Sequence, residues 1–245
     1  MSRHIIFIHG IGDASFSIAK GFEEGVSAEL RHSDVKVHTF FWRALVSRRE
    51  NELSKVLCRY SAGALALRLN IRDAVETYLI ARLKRLMIGY FGDALFYLSS
   101  NGQRVRSALK SEILAILKND RSAEFSIVAH SLGSVIAFDL LCDSRFQALM
   151  SRRRIVIKNF FTVGSPLALF RLRVDGRVKE KVRVPIRGIW INIYDRRDIV
   201  GSGLSRFFPQ CRDFEVKVHG ANVLTAHLKY FEDADILSEI LKKEV

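Results

Sequence analysis

The sequence predicts an α/β fold: about six mostly parallel strands flanked by helices, with one long helical insertion. Two observations carry that expectation. Short runs rich in Ile, Val and Phe recur along the chain: "HIIFI" at 4–8, "VKVHTFFW" at 35–42, "FSIVA" at 125–129, "IVIKNFFTV" at 155–163, "GIWINIY" at 188–194 and "FEVKVH" at 214–219. Segments with apolar residues at helical spacing separate most of these runs, which is the alternation of βαβ units. Parallel neighbours need long crossover connections, and those helical segments supply them.

The first run is almost wholly apolar, as a strand buried on both faces should be, and it ends at "HGIGD". A helix over about 15–31 follows, with Phe16, Ala19, Phe22 and Val26 on one face. The second run, 35–42, alternates and then turns continuously apolar. Residues 43–100 are far longer than a connection between a strand and a helix requires. Within them Val75, Leu79, Leu83, Leu86 and Tyr90 make a wide apolar helical face. The segment is either a helical hairpin packed as extra core or a lid or membrane-docking cap. Further helical patterns cover 101–118, 132–150 and 226–243, and "RLRVDGRVKEKVRVP" at 171–185 alternates around Asp175-Gly176 as a β-hairpin would.

With 245 residues, 49% of them hydrophobic, the chain reads as a single domain over 1–245 carrying the insertion at 43–100. No stretch reaches the roughly 18 apolar residues of a membrane-spanning helix, and the amino-terminal apolar run is better used as a strand than as a secretory leader. Cys58, Cys142 and Cys211 are scattered and odd in number. Reduced thiols in a cytoplasmic protein are therefore expected. The net charge is +13, and residues 145–187 hold twelve Lys or Arg against Asp175 and Glu180. That segment is a solvated basic face or a surface for peripheral association with an anionic membrane. Nucleic acid ranks last as a partner, because no recognition motif is present and the basic stretch is not interleaved with aromatics.

Chemistry concentrates just after the strands, where ligands of parallel sheets sit. In "VAHSLGSVIAFDLL" Ser131 stands between a strand and a helix, the setting of a nucleophile elbow, although Ala129 replaces the first glycine of G-x-S-x-G. The alternative is a serine that only caps the helix. A serine hydroxyl needs a base, and the base needs an orienting acid. Asp198, in the loop after the fifth run, is preferred as the acid over Asp195, which can pair with Arg196 or Arg197. His227, beyond the last strand, is preferred as the base over His219. The order Ser131, Asp198, His227 is that of the α/β-hydrolase fold. For the oxyanion, one donor is the backbone N–H of Leu132 and the other comes from the "HGIG" loop, through Ile11. No metal and no organic cofactor is expected.

The pieces "IIFIHGIGD", "VAHSLGSVIAFDLL", "FFTVGSPL", "WINIYDRRDIVG" and "TAHLKYF" resemble the serine lipases and esterases of the α/β-hydrolase superfamily. Over shorter segments, "HGIG", "GDALFYLSS" and "HSLGSVIAFDLL" are similar to intracellular phospholipase A1 proteins of the DDHD type. The resemblance implies a sheet lacking the first strands of the full superfamily fold, and hydrolysis of a lipid or phospholipid acyl ester through a Ser-His-Asp triad. Acyl transfer by the same triad is one alternative. A catalytically silent hydrolase fold used as an interaction or membrane-associated module is another.

Overall fold

Six strands, β1 (Arg3–Ile8), β2 (Val35–Phe40), β3 (Glu124–His130), β4 (Val156–Val163), β5 (Trp190–Asp195) and β6 (Cys211–Val216), form one sheet in the order β2-β1-β3-β4-β5-β6. Every neighbouring pair is parallel. This computed structural model describes residues 2–10, 15–30, 34–45, 94, 96–99, 101–171, 183–223 and 225–243. The apolar face expected from Val75 to Tyr90, Cys58 and the turn of the expected hairpin at 171–185 lie outside the described residues. The chain divides into two compact units, Met1–Phe41 with Arg106–Val245, and Trp42–Val105. In the second, the described residues include a 3-10 turn at Trp42–Leu45, and Ser99 Oγ donates to the Phe96 carbonyl at 2.6 Å.

The helices of the first unit are α1 (Ser15–Glu29), α2 (Asn101–Asn119, whose first residues belong to the other unit), α3 (Leu132–Leu141), α4 (Ser144–Arg153), the short α5 (Leu167–Arg171) and α6 (Ala234–Lys242). Ile5, Ile6, Phe7 and Ile8 are all fully buried, so β1 is covered on both faces. Alternation along the strands sends Ile5, Phe7, Val128, Phe161, Val163, Ile191 and Ile193 to one layer. There they meet Ile18, Phe22 and Val26 of α1 and Ile236, Leu237 and Ile240 of α6. Phe7 stacks on Phe22, with centroids 4.4 Å apart, and takes the edge of Phe231 at 5.1 Å. Offset and edge-on aromatic pairs of this kind add about 1 kcal/mol each beyond their burial. Among the described residues no helix is long and apolar enough to cross a membrane.

This is an α/β-hydrolase type of sheet, and its connectivity fixes where a site can form. From β1 the chain steps outward to β2, then returns to the other side of β1 as β3 and continues through β6. The reversal lies between β1 and β3, and crevices at such switch points open beyond the carboxyl ends of the strands. Ile8 pairs with Ala129, so His9-Gly10 and His130-Ser131 leave the sheet side by side.

Three elements depart from the periodicity. The helix expected over 132–150 breaks at Asp143, whose extended backbone (φ −70°, ψ 120°) and side chain, accepting from Phe146 N–H at 2.9 Å, start α4 afresh. The last strand ends at Val216 rather than 219, because the next amides leave the ladder: Val218 N–H goes to Asp195 Oδ2 at 2.8 Å and His219 N–H to Asp233 Oδ2 at 2.9 Å. The helix expected over 226–243 is two 3-10 turns, Ala226–Leu228 and Tyr230–Glu232, followed by α6, which Asp233 caps by accepting from Asp235 N–H at 3.1 Å.

Candidate active site

Ser131 occupies a backbone conformation that L-residues rarely adopt, φ 53° and ψ −128°. Strain of this order costs about 1–3 kcal/mol and persists only where its surroundings enforce it. They do so here: Ser131 N–H donates to the Val163 carbonyl at 3.0 Å, and the Ser131 carbonyl accepts from Ser134 N–H at 3.0 Å and Ser134 Oγ at 2.5 Å. Ser134 Oγ is in turn 2.7 Å from Ser165 Oγ. The turn brings α3 hard against β1. A Cβ at Gly133 would lie 2.4 Å from the Ile8 carbonyl oxygen and 2.6 Å from that of His9. Glycine is therefore obligatory at 133. At 129 a methyl group is accommodated, since Ala129 sits fully buried in the ladder between Ile8 and Thr162.

The structure brings Ser131, His227 and Asp198 together. Ser131 Oγ is 2.8 Å from His227 Nε2, and His227 Nδ1 is 3.0 and 2.9 Å from the two Asp198 carboxylate oxygens. A carboxylate can only accept, so Nδ1 carries the proton and Nε2 offers its lone pair to the serine hydroxyl. All three residues are buried or nearly so, with His227 retaining 9% exposure. Asp198 is approached by neutral donors as well: Val200 N–H at 2.8 Å to Oδ1 and the Tyr230 hydroxyl at 2.9 Å to Oδ2. Burial alone would raise its pKa, but the His227 charge and hydrogen bond and the backbone donors outweigh burial and hold it at about 2. Asp198 is thus an anion throughout the neutral range.

Two glycines make room for this acid. Gly164, at φ 55°, closes β4, and a Cβ there would lie 2.8 Å from Tyr230, 2.9 Å from Asp198 Oδ2 and 3.2 Å from His227 Nδ1. A Cβ at Gly201 would meet Asp198 Oδ2 at 2.7 Å. On the Ser131 side, a Cβ at Gly10 would lie 2.6 Å from Ser131 Cβ and 2.9 Å from His130 Nδ1.

Asp195 and His219 lie close by and are committed elsewhere. The Asp195 carboxylate accepts from Arg197 N–H at 2.8 Å, from its guanidinium at 3.0 and 2.5 Å, and from Val218 N–H at 2.8 Å. Arg197 also donates to the Val218 carbonyl at 2.9 Å and to that of Ala221, so this ion pair ties the loop after β5 to the loop that leads to His227. The His219 ring is exposed and bonds Asp233 through Nδ1 at 3.0 Å. His219, Asp233 and Asp235 bring one ligand atom each to within 4.8 Å of one another. The Asp233 oxygens are, however, already taken by the His219 amide and ring and by the start of α6.

Leu132 opens α3, so its N–H has no acceptor within the helix. Ile11 lies outside the described residues. Two neighbours of the site were not legible as such. Tyr230 reads in sequence as one more core aromatic, its only signal being a spacing of three from His227. His130 reads as part of the elbow, yet its Nε2 lies 2.8 Å from the His227 carbonyl oxygen.

No protein-family model matches the sequence, and no curated protein matches it. Solved structures similar in outline include a protein described as a cell surface hydrolase from Lactobacillus plantarum WCFS1, 11% identical, with 100% of this chain and 93% of that one covered and a TM-score of 0.48. The NocB thioesterase domain from the nocardicin cluster is similar at 11% identity, with 99% and 95% covered and a TM-score of 0.43. The same domain in covalent complex with a fluorophosphonate nocardicin G analogue gives 12% identity, 99% and 94% covered, and 0.43.

Proposed function

We propose that this chain is a serine hydrolase that cleaves a carboxylic ester through an acyl-enzyme. The observation that carries the reading is the unbroken chain from Ser131 Oγ through His227 to Asp198. Ser131 Oγ adds to the acyl carbonyl carbon while His227 Nε2 takes the hydroxyl proton. Asp198 orients the ring and stabilises the imidazolium that forms. The carbonyl oxygen becomes an oxyanion facing the Leu132 N–H, with Ile11 N–H as the second donor. Collapse breaks the ester C–O bond, and the alkoxide leaves with the proton from Nε2. Water, deprotonated by Nε2, then releases the acid and restores Ser131.

A lipid acyl ester is the favoured substrate. In support, Phe41, Leu169, Ile199 and Val223 are 41%, 56%, 43% and 51% exposed and lie on segments leaving the carboxyl ends of β2, β4, β5 and β6, the end of the sheet that carries Ser131. The apolar face of 75–90 in the sequence points the same way. We further propose a cytoplasmic protein in peripheral contact with anionic membrane.

Fluorophosphonate labelling tests the nucleophile: wild type should label and Ser131→Ala should not, and equal labelling of both overturns the reading. An ester panel of increasing acyl length tests the substrate, with preference for acetyl esters counting against a lipid. Alcohol or thiol acyl products would mark the enzyme as an acyltransferase, and an unlabelled, inactive wild type as a silent fold.

A further inference from the structure

A serine and a histidine that are 96 residues apart in sequence hold a 2.8 Å hydrogen bond in this structure. That contact fixes the ring of the histidine and does not by itself fix its main chain. His227 sits on a single 3-10 turn, Ala226–Leu228, anchored by Ala226 N–H to the Asn222 carbonyl at 2.8 Å and Leu228 N–H to that of Thr225 at 3.0 Å. Those bonds keep the turn together but do not connect it to the nucleophile.

His130 supplies that connection. It is the residue before Ser131, is 2% exposed, and places Nε2 2.8 Å from the His227 carbonyl oxygen. A carbonyl only accepts, so Nε2 bears the proton and Nδ1 the lone pair. Nδ1 has no hydrogen-bond partner among the described residues, and Gly10 is packed beside it, with a Cβ there falling 2.9 Å away. The ring lies against that of His227, centroids 4.9 Å apart, and is boxed in by Tyr230 at 6.2 Å and Phe231 at 5.7 Å.

We propose that His130 is a positioning residue: its Nε2–H grips the main-chain carbonyl of His227 and holds the base over Ser131. The nucleophile and the base are then joined at two points, side chain to side chain through Ser131 Oγ, and side chain to main chain through the preceding residue. This role rests on the serine-hydrolase reading and adds to it the device that sets the distance between nucleophile and base. The ring must also stay neutral, because a cation beside His227 would oppose the imidazolium that forms during acyl transfer. Burial, and then the charge of His227, lower the His130 pKa to about 3, so it is uncharged at neutral pH.

The test uses the full-length protein and three substitutions. Gln places an amide N–H near the position of Nε2, Asn reaches only as far as Nδ1, and Leu has no donor. His130→Leu and His130→Asn should lower the fluorophosphonate labelling rate, and kcat for a short ester, by about 10- to 100-fold, the scale of an ångström's misplacement at a reacting centre. KM should stay within about twofold, and His130→Gln should recover most of the rate. Labelling at the wild-type rate in the Leu and Asn variants overturns the proposal, and so does an equal loss in all three. Ring ¹⁵N spectroscopy of the wild type needs no variant: Nε2 protonated and Nδ1 bare is expected, and the opposite tautomer overturns the proposal. A wild type that fails to label would instead overturn the hydrolase reading, and the ring tautomer would still decide the hydrogen bond.

Discussion

The Tyr230 hydroxyl lies 2.9 Å from Asp198 Oδ2 and accepts the Asp195 N–H at 2.9 Å, joining the carboxylate bonded to His227 to the end of β5. Burial and then the Asp198 charge push the Tyr230 pKa far above its ordinary value, so the phenol stays protonated and can only donate to the carboxylate. Tyr230→Phe removes a donor to a charged acceptor, worth about 1.5–3 kcal/mol, and leaves the Asp195 N–H without its partner. The expected outcome is a melting temperature lower by several degrees and labelling about tenfold slower, measured by thermal unfolding and fluorophosphonate kinetics. Unchanged kinetics with lowered stability would confine Tyr230 to a structural role.

Strain at Ser131 makes a prediction that separates the backbone from the hydroxyl. Ser131→Ala and Ser131→Gly both remove Oγ and both should fail to label. Only glycine relaxes a residue held at φ 53°. The Gly variant should therefore be more stable than the Ala variant by about 1–3 kcal/mol, the cost of holding an L-residue in a sparsely populated backbone region. Denaturant unfolding of the two inactive proteins measures the difference, and equal midpoints would show that the elbow is not strained.

Gly10 and Gly133 should respond differently to a methyl group. At Gly133 the clash is with two backbone carbonyl oxygens, at 2.4 and 2.6 Å, neither of which can rotate away. Gly133→Ala should cost several kcal/mol or prevent folding, as overpacking of a rigid contact does. At Gly10 the nearest atom is Ser131 Cβ at 2.6 Å, so the methyl pushes directly on Ser131, the proposed nucleophile. Gly10→Ala should fold, with a smaller loss of stability and at least tenfold slower labelling. Ala129→Gly should leave labelling within about twofold, because the methyl at 129 is already accommodated.

The sheet was legible because parallel strands buried on both faces are written as uninterrupted apolar runs, and "HIIFI" or "FSIVA" hardly permits another reading. The meeting of Ser131 with Asp198 and His227 was open to inference for a related reason: each follows a strand, and parallel strands end at the same edge. Long-range capping was not legible. In "YDRRD" the local pairing of Asp195 with Arg197 was open to inference, but the tertiary partners were not: the Val218 amide holds Asp195, while His227 reaches Asp198. The early end of β6 has the same cause, since the carboxylates that draw off its last amides come from 23 and 14 residues away.

The charge distribution makes the last prediction. Arg152, Arg153 and Arg154 are exposed at the end of α4, two to four residues before β4 begins at Val156. Val156 is paired with Glu124, the first residue of β3, and exposed Arg121 precedes that strand in the same way. Arg187 stands before β5 and bonds Glu124 at 3.4 Å. These cations therefore mark the amino edge of the sheet, whereas Ser131 leaves its carboxyl edge, the length of a strand away, roughly 20 Å for six or seven residues. If this edge makes the anionic-membrane contact proposed above, binding and catalysis should be separable. Reversing Arg152, Arg153 and Arg154 to Glu should weaken sedimentation with phosphatidylserine vesicles at low salt by 100-fold or more, at about 1 kcal/mol for each basic residue lost. Fluorophosphonate labelling should be unchanged, because no change falls near Ser131. Sedimentation equal to wild type would remove these arginines from the membrane contact, and binding insensitive to salt would remove electrostatics as its cause.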